Sequence, residues 1–280
     1  MYYRGGLHMK IITFWGGLGN QIFEYAYYKW LKEKFPNDKI YGYYPRLGLT
    51  AHNGLEIDQK FDVKLPKSTI ASNIIGWILF NWGRLCRRFH LPLFFTCTQS
   101  NEKYNSIFHC DYWQDKKFEQ EDFELKFNLG GIDHKNISLL GEMRGKNTIA
   151  VHVRRGDYLK SSVSSLYGGI CTEEYYKKAI ELVAMEVAAP NYLFFSDDPQ
   201  YVRETFLLEN MIVVDWNSGE NSIFDMYLMS KCRYMILANS TFSYWAARLN
   251  QDVEKVYCPT RWTNVNPPNI ILDSWIRIDS

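Results

Sequence analysis

Three short runs end apolar stretches in residues that could do chemistry together: "VHVRRGDY" (151 to 158), "FFSDDPQYV" (194 to 202) and "ANSTFSYW" (238 to 245). Alternation along an extended strand puts Val151 and Val153 on one face and His152 and Arg154 on the other, so His152 and Arg154 can serve one ligand. A guanidinium fork matches a diphosphate bidentately in a way an ammonium does not. Arg154 is therefore assigned to an anionic ligand, and Arg155, on the opposite face, to orienting Asp157 or its loop. The competing reading is an Arg–Asp pair that closes the turn after Gly156. Of Asp197 and Asp198, one can cap a helix opened by Pro199. The other is then free to accept the N1–H and exocyclic amine of guanine, a donor pair that adenine lacks; capping by both is favoured on local sequence alone. Asn239, Ser240 and Thr241 open a helix, where hydroxyls and backbone amides suit an anion, simple N-capping being the alternative. Polar groups at three strand ends of one sheet, suited to phosphate, base, and phosphate or sugar, make coincidence the poorer explanation.

A fourth run, "GGLGNQ" (16 to 21), follows a strand and opens a helix, so Gly17 and Gly19 allow close backbone approach to an anion or a sugar hydroxyl. The dinucleotide fingerprint is incomplete, because Ile22 stands where Gly or Ala is required and no acidic residue ends the next strand. A structural turn explains the glycines but not the amide pair Asn20-Gln21, and Asn20 is the expected site residue. "GEMRGKN" (141 to 147) has the wrong glycine spacing for a phosphate loop, lacks Ser or Thr after Lys146 and runs into a strand, which excludes a nucleoside triphosphatase. No D-x-D, H-E-x-x-H or G-x-S-x-G occurs, and the six cysteines form no C-x-x-C pair. No metal ligand set is expected, so arginine and helix N-termini must take the charge of a departing nucleoside diphosphate.

The elements that would position these groups alternate in the second half. Strands are expected over 148–154, 192–196, 211–214, 234–238 and, last, 255–258, with helices over 172–188, 222–231 and 242–250. Apolar strands separated by helices mean a parallel sheet covered on both faces, a doubly wound α/β unit with ligands at its carboxyl strand ends. The first half opens alike, with a strand over 10–15, a helix over 21–34 and a strand over 39–44. Between 45 and 145 the periodicity weakens to helical pieces and short aromatic stretches such as "DYWQ" (111 to 114). The architecture expected is two Rossmann-like halves with a cleft between them.

The composition suits such a protein: 280 residues, 46% hydrophobic, with 32 Lys and Arg against 31 Asp and Glu. A net charge of +1 gives no field for nucleic acid, so any anion site is local. The 20 Tyr and 9 Trp suit a carbohydrate site or simply an aromatic core. Cysteines are expected as reduced, mostly buried thiols. The opening residues lack a signal-peptide pattern, which reads as a cytosolic enzyme, and "MYYRGGLH" is left out of the fold. "IIGWILF" (74 to 80) falls short of the ~20 apolar residues of a membrane span. With Arg84, Arg87 and Arg88 following, a surface-lying membrane helix is one reading; a core helix is the expectation.

Taken together, "GGLGNQIFEYA", "HVRRGDY", "FSDD" and "ANSTFSYWAARL" resemble, in order from about Lys10 to Trp275, the bacterial and animal α-1,2-fucosyltransferases of glycosyltransferase family 11. "DYWQDKKFE" (111 to 119) looks like the family's aromatic-Gln segment, and Tyr244-Trp245 stands where the family has two tryptophans. The resemblance implies a GT-B-like, metal-independent, inverting transferase that moves L-fucose from GDP-fucose to the 2-hydroxyl of a terminal galactose. The acceptor would be a β-galactoside such as lactose or N-acetyllactosamine. It implies Arg154 on the β-phosphate, His152 and an aspartate of the 197–198 pair on guanine, Ser240 and Thr241 on the phosphates, and Asn20 on the fucose side. Residues 9–145 would form the acceptor-side domain and 146–280 the GDP-fucose-binding domain. Asp157 is the first carboxylate to test as catalytic base, with Glu24, Glu56, Asp58 and Asp111 as alternatives. The competing functions are another GDP-sugar transferase, such as an α-1,6-fucosyltransferase, and a non-catalytic module that binds GDP-sugar or glycan.

Overall fold

Each half of the chain is organised by its own parallel sheet. The computed structural model describes residues 8–50, 52–120 and 123–279, and the chain divides into two units between Asn128 and Leu129.

The first unit runs β1 (Met9–Thr13), α1 (Leu18–Lys34), β2 (Lys39–Tyr43), α2 (Arg46–Leu49), α3 (Ile57–Lys60), α4 (Ile70–Arg88), β3 (Thr96–Cys97) and β4 (Phe108–His109). Its strands are parallel in the order β2-β1-β4-β3. The order reverses between β1 and β4, and the crevice beyond the carboxyl ends at such a reversal is where open α/β sheets bind ligands. The two-residue strands β3 and β4 escape a sequence reading because so short a run has no period. α1 starts at Leu18 rather than Gln21, behind an extended Gly17 that offers no side-chain cap. Asn20 and Gln21 therefore lie in its first turn.

Tyr27 of α1 stacks on Trp113 with ring centroids 3.6 Å apart and planes 5° from parallel. The Tyr27 hydroxyl meets Nδ1 of His109 at 2.7 Å, and Nε2 lies 3.0 Å from the Ser106 carbonyl. A carbonyl only accepts, so Nε2 carries the proton and Nδ1 accepts from Tyr27. Burial, with Lys10 adding to it, pushes the His109 pKa down to about 3 and keeps the ring neutral. Trp113 adopts φ +55°. A left-handed conformation costs a non-glycine residue ~1–2 kcal/mol, and complete burial of the indole offsets it.

Helix α4 differs from the expected core helix. Ser72, Gly76, Phe80, Gly83 and Cys86 are buried, but Trp77 and Ile78 are 62% and 51% exposed. It packs one face on its sheet and leaves the other uncovered. Five of the cysteines are buried and all six are free.

The second unit begins before the expected boundary, because α5 (His134–Met143) belongs to it. Asn136 on this helix and Asn217 exchange amide hydrogen bonds of 2.9 and 3.0 Å, a tertiary tie that no local pattern announces. The unit continues with β5 (Asn147–Val153), α6 (Ser161–Tyr167), α7 (Glu173–Glu186), β6 (Pro190–Ser196), α8 (Pro199–Thr205), β7 (Met211–Val214) and α9 (Ser222–Met229). It ends with β8 (Tyr234–Ile236), α10 (Thr241–Arg248), β9 (Lys255–Pro259) and β10 (Ile276–Ile278), a strand beyond the one expected to be last.

All six strands are parallel in the order β10-β9-β8-β5-β6-β7. Counted from β5, this is the 3-2-1-4-5-6 order of dinucleotide-binding sheets, reversing between β5 and β8. Ile149, Val151 and Val153 share one core cluster with Tyr175, Tyr176 and Phe194. His152 is left to the other face, as strand alternation requires.

Replacing Trp113 by Ala is expected to lower the unfolding free energy by about 3–5 kcal/mol. Urea denaturation followed by circular dichroism measures this, and a loss below ~1 kcal/mol would show that the Tyr27–Trp113 stack does not anchor the unit.

Candidate functional site

In the second unit, β5 and β6 pair with Val153 opposite Ser196, which sets the next residues of the two strands beside each other. Arg154 Nη1 accordingly meets Asp197 Oδ2 at 3.1 Å, and the Arg155 backbone N–H donates to Asp197 Oδ1 at 2.9 Å. The Arg155 side chain takes Asp198 at 3.3 Å and lies 3.5 Å over the Tyr201 ring. Asp198 also accepts the Tyr201 N–H at 3.1 Å and so caps α8.

Asp198 is thus the capping aspartate, but Asp197 is not the unengaged carboxylate expected beside it. Arg155, expected to orient Asp157 or its loop, has its side chain engaged by Asp198. The Asp157 side chain lies outside the described residues; its backbone opens a single 3-10 turn, Asp157–Leu159. A Cβ at Gly156 would stand 2.6 Å from Asp197 Oδ2, so a side chain there would displace the Asp197 carboxylate. The Arg154–Asp197 pair is about one-third exposed on the arginine side. Such pairs contribute at most ~1 kcal/mol, so its effect is to aim the guanidinium.

His152 is buried beside this pair, with its ring 5.9 Å from that of Phe242. Its Nδ1 has no hydrogen-bond partner. Burial first, then the Arg154 cation, lower its pKa to about 4, while Asp197 pulls the other way. Across β8, Ser240 is the extended N-cap of α10 and its hydroxyl accepts the Phe242 N–H at 3.3 Å. Thr241 is half-buried at the first helical position.

Asn239 departs from the expected ligand role. Its side-chain amide donates to the carbonyls of Tyr167 and Trp262, both at 3.1 Å, and its own carbonyl accepts from the Tyr158 hydroxyl at 2.9 Å. It ties three loops together, which no local signal reveals. A cleft of about 180 Å³ here is lined by Arg154, Arg155, Tyr158, Tyr167, Tyr176 and Asn239. That is below the ~300–1,000 Å³ of whole ligand pockets, so it suits one part of a larger ligand. The tyrosines were missed as lining groups, their only sequence signal being the high Tyr content.

The first unit gathers its motifs at the β1/β4 reversal. Gly16 turns at φ +75°. Gln21 donates to the Gly16 and Gly54 carbonyls at 2.9 and 2.8 Å and accepts from the Glu56 and Ile57 N–H groups at 2.9 and 3.2 Å. It is a saturated, buried structural clamp, which accounts for one member of the amide pair. Asn20 is half-buried and accepts from Gln114 at 2.9 Å, so the aromatic-Gln segment abuts the glycine turn. Trp15 stacks on Tyr112 of the same segment at 5.0 Å. A Cβ at Gly17 would lie 3.4 Å from His52, whereas Gly19 is buried inside the first turn of α1.

Of the alternative carboxylates, Glu24 is buried and accepts the Trp15 N–H at 2.9 Å. Burial raises its pKa well above the usual carboxylate range. Asp111 accepts the Gln99 and Tyr112 N–H groups at 3.0 and 2.8 Å, and Glu56 is buried against Asn53. Asp58 is exposed on α3.

His152 is expected to remain neutral down to about pH 5, given a folded pKa of about 4 against about 6.5 unfolded. The unfolded chain then binds the extra proton first, so the stability that His152 contributes is complete above pH 6.5 and is lost as pH falls toward 4. Side-chain NMR of the ring tests this; a midpoint near 6.5 would place the imidazole in solvent.

The model described as Glycosyl transferase family 11 matches residues 6–269. The chain is 28% identical to the O-antigen biosynthesis glycosyltransferase WbnK of Escherichia coli, over 94% of this chain and 98% of that protein. It is 29% identical to an alpha-1,2-colitosyltransferase of Escherichia coli, over 94% and 97%. The galactoside alpha-(1,2)-fucosyltransferase 1 of Ateles belzebuth is 29% identical over 38% of this chain and 30% of that one. Among solved structures, the alpha-1,6-fucosyltransferase NodZ soaked with GDP-fucose matches with a TM-score of 0.53 over 92% of this chain and 97% of that one, at 16% identity, a likeness of GT-B fold. With the family model spanning residues 6–269, nearly its whole length, the chain belongs to glycosyl transferase family 11.

Proposed function

We propose that this protein is an inverting, metal-independent transferase that moves L-fucose from GDP-fucose to the 2-hydroxyl of a terminal galactose. Family membership supports glycosyl transfer, and the named activities of the relatives support an α-1,2 linkage. One observation carries the donor reading. Arg154, aimed by Asp197, stands at the β5/β8 reversal beside a buried neutral His152 with an unpartnered ring nitrogen, next to the strand end that opens α10.

The second unit is the donor side in this reading. A guanidinium has five N–H donors, more than one carboxylate can use, so Arg154 can meet phosphate oxygens while Asp197 holds it. The ring edge of His152 and the Asp197 carboxylate offer polar contacts for the base, and the Ser240–Thr241 helix start offers them for the phosphates. As the bond from fucose C1 to the diphosphate breaks, charge growing on GDP is stabilised by Arg154 and the helix N-terminus, both fixed beforehand. The galactose 2-hydroxyl attacks from the opposite face and gives up its proton, for which Asp157 is the carboxylate we assign first. The first unit is the acceptor side in this reading, and Asn20 is assigned to the fucose.

The identity to an alpha-1,2-colitosyltransferase favours a second donor, colitose, which lacks the 3-hydroxyl of fucose. A site that hydrogen-bonds that hydroxyl rejects the deoxy sugar strongly, whereas an apolar one does not.

Incubation with GDP-fucose and lactose in EDTA should yield fucosyl-lactose with an α-1,2 linkage by NMR. Arg154→Ala should lower kcat/KM about 10²–10³-fold with an unchanged thermal midpoint. GDP binding without transfer to any galactoside would sink the catalytic assignment in favour of a binding module. Preferred use of the colitose donor would reassign the sugar while keeping the site.

A further inference from the structure

Helix α4 has one face that the fold uses and one that it does not. Gly76 is pressed on the Tyr43 ring so closely that a Cβ would come within 2.6 Å. On the opposite face Ile70, Ile74, Trp77, Ile78 and Leu85 recur at helical spacing and are each 44% or more exposed. The chain then folds back, the Leu91 N–H donating to the Cys86 carbonyl at 2.9 Å. Leu93 returns to within 3.8 Å of the Cβ position at Gly83, and Phe94 and Phe95 follow, 57% and 67% exposed. Monomeric proteins rarely leave so many large apolar side chains in one place uncovered, and such a patch marks an interaction surface.

Charge identifies the occupant. No Asp or Glu occurs from 63 to 101, while Lys64, Lys67, Arg84, Arg87 and Arg88 all do, in a chain whose net charge is only +1. Arg84 and Arg88 close the exposed face at its C-terminal end and are themselves exposed. A second copy docked face to face would bury these arginines against a segment, 63 to 101, that supplies no carboxylate to meet them. An anionic bilayer surface offers apolar depth and negative headgroups in one plane, and Trp and Phe are the side chains that favour its interface. No helix among the described residues is long and apolar enough to cross a membrane. We infer that α4 and the 89–95 segment form a docking surface that lies flat on an anionic lipid leaflet, the apolar face inserted and the arginines at the headgroups. This inference stands apart from the transferase reading and would survive its failure.

The full chain is mixed with phosphatidylcholine vesicles, with and without phosphatidylglycerol, at low and high salt, and floated. Flotation with the anionic vesicles at low salt is expected. Ile74→Ser with Trp77→Ser, and separately Arg84→Gln with Arg88→Gln, should each weaken it about tenfold or more. Bromine-labelled acyl chains should quench the wild-type tryptophan emission, and Trp77→Phe should lose that component while keeping its circular dichroism spectrum. A wild type that stays off anionic vesicles at low salt, or binds them without acyl-chain quenching, would overturn the inference. So would a solution dimer that the Ile74/Trp77 variant dissociates in the absence of vesicle binding, which would assign the face to a second copy.

Discussion

The placement of β5 between β6 and β8 is the constraint from which the second unit follows. A parallel strand with neighbours on both sides satisfies its backbone groups laterally and buries both faces, and β5 is buried throughout after its first residue. Its first polar freedom comes at its carboxyl end, where the strand order also reverses. A buried apolar strand that must deliver two arginines can do so only there. Pairing in register with β6 then decides which acid each arginine meets.

That register gives the arginines different tasks. Arg155 is spent on Asp198 and Tyr201, around the cap of α8. Arg154 is aimed by Asp197, itself fixed by a backbone N–H. An ion pair near water stabilises little, but it removes rotamer freedom from a long side chain before a ligand arrives. His152 is kept neutral by its burial first and by the neighbouring Arg154 cation second.

The first unit shows residues with chemical side chains meeting structural needs. The amide of Gln21 answers backbone groups of the glycine turn and of α3, and Glu24 takes a strand-end N–H. Buried loop backbone requires partners wherever no ladder supplies them, and side chains such as these supply them. Residue type alone therefore overstates how many polar groups a site contains.

The sequence by itself determined the doubly wound second unit, most of its strands and the polar character of its strand ends, since alternation and helical spacing are properties of neighbouring residues. The shared face of His152 and Arg154 belongs to the same class of information. Only the tertiary structure decided that Asp197 would be engaged by Arg154 and that Asn239 would bridge Tyr167 and Trp262. It also moved the boundary to residue 128, brought Gln114 to Asn20 and left half of α4 bare. Each of these depends on which distant segment fills the space beside a residue. Local pattern fixes a side chain's direction, whereas the packing of segments far apart in the chain fixes what it meets there.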